Sequence, residues 1–261
     1  NQLSKNRIIG NVNLSYAIND MLTFRVKTGT DTWASTTEER KAKGSNEYSE
    51  GFYRQISRNY SESNSEALLS FNKDLSSDLT LNLNFGGNMM SREYKRLWGE
   101  AGQLELPGVY SLANIKSGLS PVLTSFKRNS KINSLYGFGQ IAYKNAIYLD
   151  FSGRNDWASA LPVENNSFFY PSVSLSAIFT DLFDIKSSTL SFLKARAGYA
   201  EVGSSGILDP YQINQTYSFR GEPWGSLLLP YNSRDLANPN IQPERTKAWE
   251  YGIDARLFRN R

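Results

Sequence analysis

Apolar and polar residues alternate with a period of two through most of this chain. In the clearest segment, residues 79–85, every odd position is Leu or Phe and every even position is Thr or Asn. Successive side chains of a strand point to opposite faces of a sheet, so this alternation predicts strands with one apolar face. No sustained period of 3.6 residues accompanies it. The pattern predicts an all-β, antiparallel fold of nine strands, near residues 8–18, 22–27, 67–71, 79–85, 134–143, 147–154, 169–179, 193–199 and 249–257.

The predicted connections alternate between short and long. Tight turns follow the first, third, fifth and seventh strands, and long connections span about 33–59, 90–131 and 203–245. The connection at about 155–167 is shorter. Transmembrane β-barrels have short turns on the periplasmic side and long loops outside. The spacing therefore favours a segment of an antiparallel transmembrane β-barrel.

Charge is confined to one face of the predicted strands. A charged side chain facing lipid costs roughly 2–4 kcal/mol at the bilayer midplane, which explains such segregation. Single-chain bacterial barrels have even strand numbers, so we expect the nine strands to be part of a larger barrel. The charged residues that we predict to face the barrel lumen are Arg154, Asp156, Lys194, Arg196, Glu250, Asp254 and Arg256.

Composition argues against catalysis and against most metal sites. The chain has no His and no Cys, the residues that most often act as general base, thiol nucleophile or transition-metal ligand. We therefore expect no enzyme activity, no cofactor and no metal. The net charge of +4 is scattered rather than clustered, which argues against nucleic-acid binding. A soluble, carbohydrate-binding β-sandwich stays open as an alternative, because a sandwich core also produces period-two strands.

Several segments resemble motifs of one transporter family. Arg154–Pro162 resembles a strand end and loop that recur in the SusC/RagA family of TonB-dependent transporters, and Phe168–Ser174 is similar to the strand that follows it. Leu193–Gly203 is similar to the next strand. Asn238–Glu244 followed by Trp249–Gly252 resembles the N-x-x-L-x-P-E and W-E-x-G signature, and Tyr110–Asn114 also matches. These motifs occur in the family's order across about 110–258.

The resemblance implies a 22-stranded barrel with a plug domain and an amino-terminal extension, both outside this chain. Residues 1–261 would then be part of one TonB-dependent receptor β-barrel domain. It also implies a bacterial outer membrane, in Bacteroidota, and a SusD-like surface lipoprotein as partner. Energy would come from TonB–ExbB–ExbD. The expected cargo is an oligosaccharide, or a peptide in some members, carried by a dimer of transporter–lipoprotein pairs. An outer-membrane barrel for adhesion or secretion is the remaining alternative.

The long connections contain aromatic and Arg side chains suited to sugar rings and hydroxyl groups. Each could instead pack the loops against one another, and Arg154 and Asp156 could form a salt-bridged loop base rather than contact plug or cargo. The candidates for cargo or lipoprotein contact are Trp33, Trp98, Tyr110, Trp157, Tyr217, Arg220, Trp224, Tyr231 and Arg234.

Overall fold

A computed structural model describes residues 1–205, 209–219, 224–232 and 236–258. Within them, nine long strands form one sheet, in the order β1-β2-β3-β4-β5-β6-β7-β8-β11. The short strands β9 and β10 pair separately with each other. The strands are β1 (Gln2–Ala17), β2 (Leu22–Lys41), β3 (Phe52–Ser76), β4 (Leu79–Ala101), β5 (Val122–Tyr143), β6 (Ile147–Ala158), β7 (Ser167–Ile178), β8 (Leu190–Ser204), β9 (Tyr217–Phe219), β10 (Pro230–Asn232) and β11 (Glu244–Leu257).

The nine strands predicted from alternation are confirmed as the nine strands of the large sheet. The prediction missed β9 and β10, because a strand of three residues is too short to show a period. It also placed Phe179 in the seventh strand, which is wrong. Phe179 begins a one-turn helix, α1 (Phe179–Leu182), and its ring stacks on Phe183 at 6.2 Å between centroids. A further single turn, of 3₁₀ helix, spans Val163–Asn165.

The register of β5, β6, β7, β8 and β11 builds one apolar and one polar face. Leu149 lies between Ile141 and Leu175, and the same row continues through Ala197 to Tyr251. The neighbouring row carries the other face, and it reads Gln140, Asp150, Ser174, Gly198 and Glu250. Strand alternation and strand pairing therefore agree on which residues share a face.

The apolar face is open rather than covered. Tyr251 is 75% exposed and Ile253 is 79% exposed. A soluble sandwich would bury this face under a second sheet, but the second sheet among the described residues is only the ribbon of β9 and β10. The exposed apolar face suits contact with lipid and argues against the β-sandwich alternative.

Two predicted loops are much shorter in the structure. β2 continues to Lys41 and β3 begins at Phe52, so the connection predicted at 33–59 spans only 42–51. The one predicted at 90–131 spans 102–121. In these extensions both faces carry polar residues, so the apolar alternation disappears while the backbone ladder continues. Trp33 and Trp98 consequently lie on strands, not on loops.

The turns after the first and fifth strands are tight, as predicted, whereas the connection after the seventh strand spans 179–189 and contains α1. Residues 144–146 join β5 to β6, and the N–H of Ala146 donates to the carbonyl of Tyr143. Lys144 and Asn145 both have φ of 52°, the left-handed backbone that the centre of a hairpin turn with right-handed strand twist requires. Between β1 and β2, the side-chain oxygen of Asn19 accepts a hydrogen bond from the backbone N–H of Met21 at 2.9 Å. Asn is suited to this position because its side chain can mimic a backbone turn.

The chain divides into two compact units. Unit 1 contains Asn1–Val12, Thr28–Ser65 and Met90–Ser130, and unit 2 contains Asn13–Lys27, Glu66–Met89 and Lys131–Arg261. In unit 1, Tyr53, Ala101 and Leu104 form a small buried cluster. The cluster of unit 2 consists of Ala158, Leu161 and Phe168.

The helices of the described residues are all too short or too polar to cross a membrane.

The carboxylate of Glu50 ties together the two long connections of unit 1. This carboxylate lies 2.9 Å from the Lys43 ammonium and 3.9 Å from the Lys116 ammonium. The backbone carbonyl of Glu50 also accepts a hydrogen bond from the N–H of Leu104. The hydrogen bond from Lys43 and the charges of both lysines lower the pKa of Glu50 below its ordinary value.

We predict that Leu175→Arg destabilises the full-length protein by about 2–4 kcal/mol in a bilayer, because the charge replaces an apolar side chain on the lipid-suited face. The matched control is Ser174→Arg, on the polar face of the same strand. Urea unfolding of the protein folded in vesicles measures both. Equal destabilisation by the two variants would contradict the assignment of faces.

We predict that the packing of residues 42–51 against 102–121 weakens in acid. Because the folded-state pKa of Glu50 is depressed, its stabilisation is fully present above the ordinary pKa of 4.5 and is lost as the pH falls through the lower folded-state value. Hydrogen exchange of residues 42–51, measured from neutral pH downwards and corrected for intrinsic rates, reports this loss. Glu50→Gln should remove that part of the pH dependence; an unchanged profile would refute the role of Glu50.

Candidate cargo-facing surface

A network of polar side chains joins β5, β6 and β7 on the charged face of unit 2. The Arg154 guanidinium donates to Asp156 Oδ1 at 2.8 Å and to Ser134 Oγ at 2.7 Å. The Tyr170 hydroxyl donates to the other oxygen of Asp156 at 2.5 Å. Asp156 is only 7% exposed, so its charge depends on these donors. We call this group the Arg154 network.

Tyr136 extends the network to β3. The Arg154 guanidinium lies 5.5 Å from the centre of the Tyr136 ring, and the hydroxyl of Tyr136 donates to the carboxylate of Glu66. Gly86 of β4 makes room for the ring, since a Cβ atom there would lie 2.7 Å from Tyr136 Cζ. One interpretation of the sequence was that Arg154 and Asp156 form a salt-bridged loop base. The two side chains do form an ion pair with each other.

The remaining charged residues predicted to face the lumen share one face of β8 and β11. Lys194 lies directly opposite Asp254, and Arg196 lies opposite Gly252, in the antiparallel register. The guanidinium of Arg256 lies 4.8 Å from the centre of the Phe192 ring. Glu250 lies opposite Gly198 and is exposed. All five side chains therefore line the polar face, but they do not join the Arg154 network.

In unit 1, Trp98 packs against an ion-paired arginine. The Arg54 guanidinium lies 4.8 Å from the Trp98 ring centre and donates to Glu39 at 3.0 Å and to Glu100 at 2.9 Å. The indole N–H of Trp98 is buried and has no hydrogen-bond partner among the described residues. Trp98 is thus a strand residue fixed by a charge cluster, rather than the loop side chain that the sequence predicted.

Tyr110 is the one described loop candidate held by an extensive local scaffold. Its ring packs against the cluster of Tyr53, Ala101 and Leu104, and the Arg40 guanidinium lies 5.6 Å from the ring centre. Asn114 holds the same connection, because its side-chain amide donates to the carbonyls of Leu106 at 2.8 Å and Val109 at 2.7 Å. The resembling segment Tyr110–Asn114 therefore serves to fix the shape of this loop.

The other candidates are dispersed. Trp157 lies in β6, an odd number of residues from Arg154 and Asp156, so it points away from the Arg154 network and is 38% exposed. Trp224 is 77% exposed beside a bridge to Leu227, and Tyr231 lies in β10 and is 44% exposed. Tyr217 begins β9. Arg220 and Arg234 lie outside the described residues.

Sequence reasoning missed a row of rings that crosses four strands of unit 1. Trp33 of β2 stacks on Tyr60 of β3 at 5.6 Å and meets Tyr94 of β4 at 6.5 Å between centroids. Tyr94 in turn meets Phe126 of β5 at 6.4 Å. We call Trp33, Tyr60, Tyr94 and Phe126 the aromatic row. Only Trp33 was a sequence candidate, because the other three stand in stretches where apolar alternation is absent.

No group of three or more acidic side chains in the described part of the chain is arranged to hold a metal ion.

We predict that Asp156→Ala destabilises the folded protein by about 1.5–3 kcal/mol, because it leaves the partly buried Arg154 and the Tyr170 hydroxyl without their acceptor. Asp254→Ala, which removes an exposed carboxylate from the same face, is the control and should change stability by less than about 0.5 kcal/mol. The urea midpoint of the full-length protein in detergent measures both. A similar shift of the urea midpoint for the two variants would show that the Arg154 network does not contribute to the stability of the folded protein.

Three comparisons with known proteins agree with this architecture. The family described as TonB dependent receptor-like, beta-barrel, matches residues 2–261. TonB-dependent receptor P3 of Formosa agariphila is 26% identical over 199 residues, which cover 70% of this chain and 19% of that protein. The chain thus spans about a fifth of the length of this relative.

Two solved structures share the fold over the whole chain. The RagAB peptide transporter superposes with a TM-score of 0.88 at 19% identity, covering 100% of this chain and 29% of the other. The RagAB peptide importer in the open-open state gives 0.84 at the same identity and coverage. At this identity the likeness shows the fold, which is that of a fragment of the RagA-type barrel. Because the family match extends from residue 2 to residue 261, this chain belongs to the TonB dependent receptor-like β-barrel family.

Proposed function

We propose that the protein of which this chain forms part imports a bulky nutrient across the bacterial outer membrane, driven by TonB. The observation that carries this proposal is the separation of faces across β5, β6, β7, β8 and β11. One row, from Ile141 to Tyr251, is apolar, and the row beside it carries Asp150 and Glu250. A wall between lipid and an aqueous lumen requires this separation.

In this proposal the residues of the barrel wall have a passive role in transport. The carboxylates and guanidinium groups of the polar face pair with neighbours, as in the Arg154 network, and such pairs hold a wall in shape while cargo passes. In this proposal movement occurs elsewhere, in a plug that TonB, with ExbB and ExbD, displaces from the lumen. The chain's residues then hold the barrel open and present side chains to the cargo.

The proposed partner is a SusD-like surface lipoprotein that closes over the barrel, with the receptor–lipoprotein pairs forming a dimer. The likeness to the RagAB peptide transporter supports the proposal of an importer with a lipoprotein partner. The proposed location is the outer membrane of a member of the Bacteroidota, in keeping with the relative from Formosa agariphila. We propose that the protein acts as a transporter rather than as an enzyme.

The proposed cargo is an oligosaccharide, with a peptide as the alternative. Oligosaccharides are bound by aromatic faces that stack on sugar rings and by planar polar groups that bond hydroxyls. The strands of unit 1 place five partly exposed aromatic residues on the face that carries Arg54 and Glu62: Trp33, Tyr60, Tyr94, Trp98 and Phe126. The peptide alternative is favoured by the RagAB likeness alone.

Uptake by intact cells tests the proposal. We expect a strain that lacks the full-length gene to lose uptake of labelled oligosaccharides, and the restored gene to recover it. Uptake should stop when the proton gradient is collapsed or when ExbB is deleted, because a TonB-driven plug needs that energy. Uptake that persists without ExbB would refute TonB coupling, and unchanged uptake of every tested glycan and peptide after gene deletion would refute import.

A further inference from the structure

The aromatic row lies on the face of the strands that we assign to the lumen. Trp33 is two residues from Asp31 in the same strand, β2, so both side chains occupy the face that carries the ion pair of Asp31 with Arg7. All four rings of the row are partly exposed, although they contact one another. They belong to four neighbouring strands, which at about 4.8 Å per strand makes the row roughly 14 Å long.

The flank of the row nearest the turns is electrically neutralised. Arg7 forms a bidentate pair with Asp31, at 2.8 and 2.5 Å. On the next strands, Arg92 lies 2.9 Å from Glu62. Arg7 and Arg92 therefore each have a carboxylate partner, so this flank has little net charge with which to attract an anionic ligand.

The flank that leads to the long connections is different. Arg58 precedes Tyr60 by two residues and Arg96 follows Tyr94 by two, so both stand on the same face beside the row. Arg58 donates to the Thr37 hydroxyl at 2.9 Å, and Arg96 lies 5.6 Å from the Phe126 ring centre. Neither guanidinium has a carboxylate partner among the described residues, and the Nε of Arg96 is buried without any hydrogen-bond partner there.

A third cation stands at the end of the row. The ammonium of Lys5 lies 4.5 Å from the centre of the Trp33 ring. Its charge acts on Asp31, but Lys5 forms no close ion pair among the residues that the structure describes. Cations held over aromatic faces keep their charge available to a further anion, because a ring neutralises no charge. The aromatic row is thus bordered by Lys5, Arg58 and Arg96, three cations that stand outside the close ion pairs of the described residues.

We propose that the aromatic row and its three cations form a binding surface for an acidic oligosaccharide, one whose sugars carry carboxylate or sulfate groups. The sugar rings stack on Trp33, Tyr60 and Tyr94, and the anionic groups meet Arg58 and Arg96. A planar guanidinium suits both groups, because it donates two parallel hydrogen bonds to neighbouring oxygens. This inference rests on the proposed function and specifies the class of its cargo.

The row favours an acidic sugar over an acidic peptide. Trp33 and Tyr60 stack nearly in parallel, with 17° between their planes, whereas Tyr94 meets Trp33 at 61° and Phe126 at 63°. The row thus offers apolar ring faces and edges that the C–H groups of a pyranose can contact, whereas a peptide strand would be expected to pair with unpaired backbone groups. The aromatic row stands on β2 to β5, interior strands of the sheet, where the backbone is already paired.

Binding to the full-length receptor in detergent tests this inference, with a short oligogalacturonate as the acidic probe. We expect it to bind more tightly than a neutral maltooligosaccharide of the same length, and its affinity to fall as salt is added. Trp33→Ala and Tyr94→Ala should each weaken it about tenfold. Tyr251→Ala removes an exposed ring from the apolar face of β11; it is the control and should leave affinity unchanged.

The charge readout uses Arg58→Gln and Arg96→Gln. Each should reduce the salt dependence and abolish the preference for the acidic probe, while leaving any binding of the neutral sugar intact. Equal binding of acidic and neutral sugars, tighter binding of an oligoglutamate peptide, or no effect of Trp33→Ala would overturn the inference. In the last case, uptake that still requires ExbB would leave the proposed import function standing, so the two failures are distinguishable.

Discussion

The structure depends on one constraint: backbone N–H and C=O groups must find partners within the sheet, while one face of that sheet remains apolar and uncovered. Lipid offers no hydrogen bonds, so an unpaired backbone group there costs several kcal/mol. The rows that run from β5 to β11 meet the constraint by pairing every interior strand with two neighbours. Side chains such as Tyr251 can then stay exposed on the apolar face without leaving the backbone unsatisfied.

The same constraint explains why the polar face carries networks rather than isolated charges. Asp156 is nearly buried, and a lone carboxylate at such a position would lose its hydration. Arg154 and Tyr170 supply the missing donors from two adjacent strands, and Ser134 of a third strand accepts a hydrogen bond from Arg154. Pairing of strands therefore creates the geometry in which these groups meet, and their hydrogen bonds in turn reinforce the register.

Unit 1 shows what changes where the apolar face is no longer required. Both faces of the strand extensions carry Thr, Ser, Glu and Arg, and ion pairs such as Arg54 with Glu39 and Glu100 replace apolar contact. Ring stacking and cation–π contacts hold the aromatic row in place between these pairs. Because some cations contact rings instead of carboxylates, this region combines a rigid surface with positive charge that no described acidic residue neutralises.

The sequence alone determined the all-β class, the nine strands of the sheet, the tight turn at Lys144 and Asn145, and which residues share a face in the strands that alternate cleanly. These features follow from a period of two and from turn chemistry, both of which are local. Strand ends were misjudged wherever polarity on both faces hid the period, as for Trp33 and Trp98. Only the tertiary structure brought Glu66 to Tyr136, 70 residues apart, and assembled the aromatic row from four strands. Contacts across strands depend on register, and register is set by the pairing of the whole sheet rather than by any single segment.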